Sequence, residues 1–136
     1  MYLYSSAAET PLDLTAEHDP ALLAFVKCHV TSSLKWDVLR LLAERQGEWL
    51  DPAEVARSVH RPEHEVSCAL TELLQEEVLE RTEAGDGEVA RYRLRPGEPT
   101  TVVLQRLIEA AMTNQSLRSI IAANLLRCQH ARVRAA

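Results

Sequence analysis

Aromatic residues make up only 4% of the 136 positions, so an interior must be built mainly from Leu, Val, Ile and Ala. Cysteine is also scarce. Cys28, Cys68 and Cys128 are odd in number and far apart, which excludes a disulfide framework and fits no paired-ligand spacing. They are expected as reduced thiols in a cytoplasmic protein. No apolar run approaches the length of a membrane span, and Met1-Tyr2-Leu3-Tyr4-Ser5-Ser6 lacks the basic-then-apolar order of a signal peptide. No membrane partner is therefore expected. With only four glycines, no Gly-rich loop is present to cradle phosphate, and neither a nucleophile elbow nor a metal-protease helix occurs. Asp51 and Glu54 are explained by a helix start, so no catalytic set emerges and the chain is not expected to be an enzyme.

A basic surplus is missing as well. The formal net charge is −5, so any basic face must be local. The balance shifts along the chain: residues 1–60 carry 5 basic and 9 acidic side chains, residues 61–80 carry 1 and 6, and residues 81–136 carry 9 and 5. Hydrophobic residues at 46% and charged residues at 26% are ordinary for one globular domain of this length.

Residues 1–19 are polar and mixed, and are expected to form a flexible segment. Asp19-Pro20 predicts a helix start, and the helix over 20–31 carries Leu22, Leu23, Phe25, Val26 and Val30. Thr31-Ser32-Ser33 offers the next cap. Leu34, Val38, Leu41 and Leu42 then share a face until Gln46-Gly47. Asp51-Pro52-Ala53-Glu54 spells a capping box, and the short helix after it turns Val55, Ala56 and Val59 inward. Pro62 opens another helix, with Val66, Ala69, Leu70, Leu73 and Leu74 inward. The period then changes to alternation. Leu79–Thr82 and Val89–Leu94 flank Gly85-Asp86-Gly87, a hairpin signal. Ala90, Tyr92 and Leu94 face one way, and Arg91, Arg93 and Arg95 the other. Pro96, Gly97 and Pro99 close the unit. A helical stretch over 101–129 changes register between Leu104, Leu107, Ile108, Ala111 and Leu117, Ile120, Ile121, Leu125, which predicts a break near Asn114–Ser116.

This order of helix, short strand, helix, turn, helix and hairpin resembles the winged helix-turn-helix regulators of the MarR and ArsR type. The resemblance covers about Leu34 to Arg95. It rests on Val55-Ala56-Arg57-Ser58-Val59, on Val66-Ser67-Cys68-Ala69-Leu70-Thr71-Glu72-Leu73-Leu74, and on Glu77-Val78-Leu79-Glu80-Arg81. The implied fold is mainly α with a small β-hairpin: a winged core over 34–95 within a domain spanning 20–136, extended by helices over 20–31 and 101–129. The chain departs from the family pattern at His60, where a turn glycine is usual, and at Cys68, where many relatives carry a phosphate-holding arginine. His64 to Glu80 also holds no Lys or Arg but five Glu, which opposes binding to a polyanion.

The resemblance implies a homodimeric transcriptional regulator that binds double-stranded DNA. His64, Ser67 and Thr71 would lie at the groove, Arg57 and Arg61 near phosphates, and Arg81, Arg91 and Arg93 on the wing. The alternative is a winged-helix adaptor whose acidic second helix, through Glu65, Glu72 and Glu76, engages a basic protein partner. Phe25, Val26, Val30, Leu104, Ile108, Ile120, Ile121 and Leu125 are the candidates for a dimer interface. The pairs His64/Cys68 and Cys128/His130 do not make a four-ligand site. They are expected to be a surface His and a buried Cys, with no metal or other cofactor.

Overall fold

The computed structural model describes residues 19–83, 85, 87–97 and 99–135, with side chains up to Ala131. The expected flexible segment falls almost wholly on residues 1–18, outside the described residues. So does Asp86, at the centre of the expected hairpin turn.

Six helices and a two-stranded antiparallel hairpin follow in the order α1 (Pro20–His29), α2 (Ser33–Glu44), α3 (Pro52–Val59), α4 (Glu63–Gln75), β1 (Leu79–Arg81), β2 (Tyr92–Leu94), α5 (Pro99–Thr113) and α6 (Gln115–Ala135) among the described residues. This is a winged helix-turn-helix with added helices at both ends. The caps form where the sequence places them. Asp19 accepts from the Ala21 N–H at 2.9 Å and Ser32 from Lys35 at 3.1 Å. Asp51 and Glu54 exchange reciprocal bonds of 2.9 and 3.0 Å. The break between α5 and α6 falls at Asn114, whose side chain accepts from the Leu117 N–H at 2.9 Å and so starts the next helix.

The wing pairs Leu79 with Leu94, Glu80 with Arg93 and Arg81 with Tyr92. Leu50 bridges to the other edge of β2 through bonds of 2.8 and 3.0 Å with Tyr92. The second strand is shorter than the alternation from Val89 predicts. The Arg91 N–H donates to the Thr82 hydroxyl at 2.9 Å rather than to a strand carbonyl, and the ladder ends there.

Two expectations about the core need correction. On α2 the buried stripe is Lys35, Val38, Leu39 and Leu42, while Leu34 and Leu41 are half-buried; the stripe is rotated toward a lysine. Of the candidate interface residues, Phe25, Val26, Val30, Leu104 and Ile121 lie inside the core. The reason is that α1 packs on α5 and α6, so these helices cover the winged unit of their own chain. Asn124 fixes the arrangement by donating from Nδ2 to the carbonyls of Val30 at 2.8 Å and Val26 at 3.2 Å at the end of α1. Ile108, Ile120 and Leu125 remain partly exposed.

Candidate nucleic-acid interface

The geometry of the helix-turn-helix depends on how α3 stops. His60 takes the left-handed conformation at φ 58°, ψ 48°, and the Arg61 N–H closes back on the Ala56 carbonyl at 3.2 Å. The chain then reverses through Pro62 into α4. At the far end of α4, Glu77 is also left-handed at φ 67°. Bonds from Val78 to Leu73 (3.1 Å) and from Glu77 to Leu74 (3.0 Å) make the paired closure typical of a glycine stop. Both ends of the unit therefore turn on residues that pay a conformational cost there.

Helix α4 buries Val66, Ala69, Leu70 and Leu73 and turns His64, Cys68 and Thr71 outward, all exposed. Cys68 is thus not the buried thiol expected: it lies about half a turn of the helix away from the Val66–Leu70 stripe. Ser67 is half-buried. The Thr71 hydroxyl donates to the Ser67 carbonyl at 2.9 Å, which fixes its direction and leaves its lone pairs outward.

Of the carboxylates that follow, Glu76 at the end of α4 is half-buried, while Glu72 is exposed. Lys35, only 2% exposed, meets Glu76 at 2.7 Å and Glu72 at 3.5 Å. The second Glu76 oxygen lies 2.8 Å from His29 Nδ1. One cluster therefore ties α1, α2 and the end of α4 together and sets the Lys35 ammonium against Glu72 and Glu76. Glu80 on β1 pairs with Arg93 Nε at 2.5 Å. Glu63 and Glu65, at the start of α4, have no ion partner among the described residues.

The expected cationic residues divide into two groups. Arg93 is held by Glu80 and lies over the Trp49 ring at 4.2 Å. Arg61 reaches the Ser33 hydroxyl at 3.3 Å and Asp37 at 3.7 Å. Arg57, Arg81 and Arg91 are exposed and have no ion partner among the described residues. The register also separates the wing arginines. Arg81 opposes Tyr92, whereas Arg91 and Arg93 share the face of Glu80 and Thr82, so the hairpin offers cations on both faces.

Sequence reasoning missed Lys35, although its signal is legible: it stands three, four and seven residues before Val38, Leu39 and Leu42, on their stripe. Trp49 as a platform for Arg93 had no local signal, because the loop after α2 and strand β2 meet only through the fold.

No family model matches the chain, and no curated protein matches it in sequence. Among solved structures the fold is similar to one named "Possible transcriptional regulator from Methanosarcina mazei Go1". The TM-score is 0.48 and the identity 19%, over 65% of this chain and 78% of that one.

Proposed function

We propose that the chain is a DNA-binding transcriptional regulator that acts as a homodimer. The observation that carries this reading is the disposal of acid around the second helix of the helix-turn-helix. Glu72 and Glu76 turn to Lys35, and Glu80 turns to Arg93, while Arg57, Arg81 and Arg91 stay exposed. The charge objection read from the sequence is thereby reduced, and three of the expected cations are exposed without an ion partner among the described residues. In this reading His64, Thr71 and Ser67 address base edges, and Arg57, Arg81 and Arg91 address the backbone. Arg61 and Arg93 hold the scaffold. The adaptor alternative keeps one supporting observation, the unpartnered pair Glu63 and Glu65, but it loses Glu76.

A titration of the full chain against duplex DNA over a series of salt concentrations tests the proposal. Binding at low salt is expected, with an affinity that falls as salt rises. Replacing Arg57, Arg81 and Arg91 together by Ala is expected to weaken binding to every sequence and to flatten the logarithmic salt slope by roughly three, about one per phosphate contact. Thr71→Ala is expected to change sequence preference with the slope unchanged. Absence of binding at low salt overturns the DNA reading.

A further inference from the structure

The distal part of α6 carries charge of one sign and lies outside the core. Glu109 is the last residue of the chain with a carboxylate side chain, and Arg118, Arg127, Arg132 and Arg134 follow it. Arg118 serves the fold by donating to the Ala111 carbonyl at 2.8 Å. Asn124 is buried, but from Leu125 to Ala131 no side chain is, although the helix continues to Ala135. Arg127 and His130 are exposed there. Arg127 meets the Asn124 side chain and has no ion partner among the described residues.

This end of α6 borders the helix-turn-helix. Leu126 and Gln129 line an open groove together with His64 and Cys68 of the outward face of α4. The groove itself selects no charged occupant, because Lys35 and Arg61 in its lining are balanced by Glu65 and Glu72. The selection comes from the arginines that follow on α6. At about 1.5 Å per residue, the eleven positions after Asn124 cover roughly 16 Å. Phosphates of one DNA strand recur about every 3.4 Å, so this length runs past about five of them.

We infer that the distal part of α6 is a second phosphate-binding element, which follows the backbone of the duplex beside the groove that α4 enters. Arg127, Arg132 and Arg134 are its cations. This inference rests on the DNA reading and adds a set of contacts distinct from Arg57, Arg81 and Arg91. Two observations carry it. One is a basic run with no carboxylate side chain in it; the other is its continuity, through the shared groove, with the His64–Thr71 face. A polyanion is the partner that such a run favours, whatever the base sequence. The element supplies the positive charge that α4 lacks between His64 and Glu80.

Titration of the full chain against duplex DNA over a series of salt concentrations tests the element. Arg127→Ala, Arg132→Ala and Arg134→Ala combined are expected to weaken binding to every sequence and to flatten the logarithmic salt slope by roughly three. Arg127→Lys, Arg132→Lys and Arg134→Lys combined are expected to keep the slope, since lysine holds phosphate as a point charge. Alanine favours helix, so the alanine variant is expected to keep the helical signal, and to sediment with the mass of the wild type. Wild-type chain that does not bind at low salt overturns the DNA reading and this element together. Wild-type binding with a slope that the alanine variant leaves unchanged keeps the DNA reading and overturns the element alone. A slope that the lysine variant fails to keep assigns the arginines to the fold, and a lower mass of the alanine variant assigns them to assembly; either result also overturns the element.

Discussion

His60 and Glu77 hold the two turns around α4 at φ values of 58° and 67°, where a Cβ is unfavourable. Glycine removes that cost, and at these exposed positions no packing is lost. Glu77 gives up only a 3.8 Å contact to Arg95 from an 80% exposed side chain, worth little in water. His60→Gly and Glu77→Gly are each expected to raise unfolding free energy by up to about 1 kcal/mol, measured as the shift in urea midpoint. Lys35 is the opposite case. Its ammonium is buried and depends on Glu76 at 2.7 Å, with Glu72 further off at 3.5 Å. Glu76→Ala strips the nearer carboxylate and also leaves His29 without that acceptor. Breaking a buried pair from one side leaves an uncompensated charge, so a loss of about 3 kcal/mol is expected, large beside the glycine variants in the same assay.

Helix α1 is anchored at its start by one carboxylate. The Ala21 N–H bonded to Asp19, with Arg106 of α5 beside it, holds that carboxyl below its ordinary value of 3.8. Asp19→Ala removes the cap and the tie to α5, and is expected to cost about 1 kcal/mol at neutral pH. Because the folded-state pKa is depressed, this contribution is complete above the unfolded value and is lost as pH falls through the folded one. Melting curves of the two proteins should therefore differ by a constant amount at neutral and mildly acid pH and converge below about pH 3.8. A difference that persists at lower pH would assign the effect to something other than the carboxylate. At the other end of the chain, α5 and the first turns of α6 belong to the core. Deleting 101–136 would remove Leu104, Leu107, Leu117 and Ile121 from it and is expected to give aggregate. Deleting 126–136 removes no buried side chain among those described, which end at Ala131. It is expected to leave the melting temperature within a few degrees.

At the scale of the molecule, a net charge of −5 is divided rather than spread. Exposed acid without an ion partner among the described residues lies at Glu63 and Glu65 at the start of α4, and exposed basic charge at Arg57, Arg81 and Arg91, so binding to a polyanion depends on the local arrangement rather than the net charge. Arg93→Ala separates wing architecture from backbone contact. Its guanidinium is already held by Glu80 and Trp49, so its removal is expected to lower stability while flattening the salt slope of DNA binding by less than about one. A slope change equal to that of Arg91→Ala would show that the pair with Glu80 opens on binding.

Local chemistry was enough to read the helix starts at Asp19, Ser32 and Asp51, the break at Asn114, the hairpin and the winged order, because caps, breaks and periodicity act over a few residues. The sequence also marked His60 as a left-handed turn residue without glycine. It could not show that Phe25, Val26 and Leu104 cover their own core, since their apolar character is the same in a core and in an interface. Nor could it show that Glu72, Glu76, Glu80 and Arg93 neutralise one another's surroundings from distant positions. Charge is additive along a chain, but its effect depends on distance and burial, and only the packing of α1, α2, α4 and the wing brings Lys35 to Glu76 and Arg93 to Glu80.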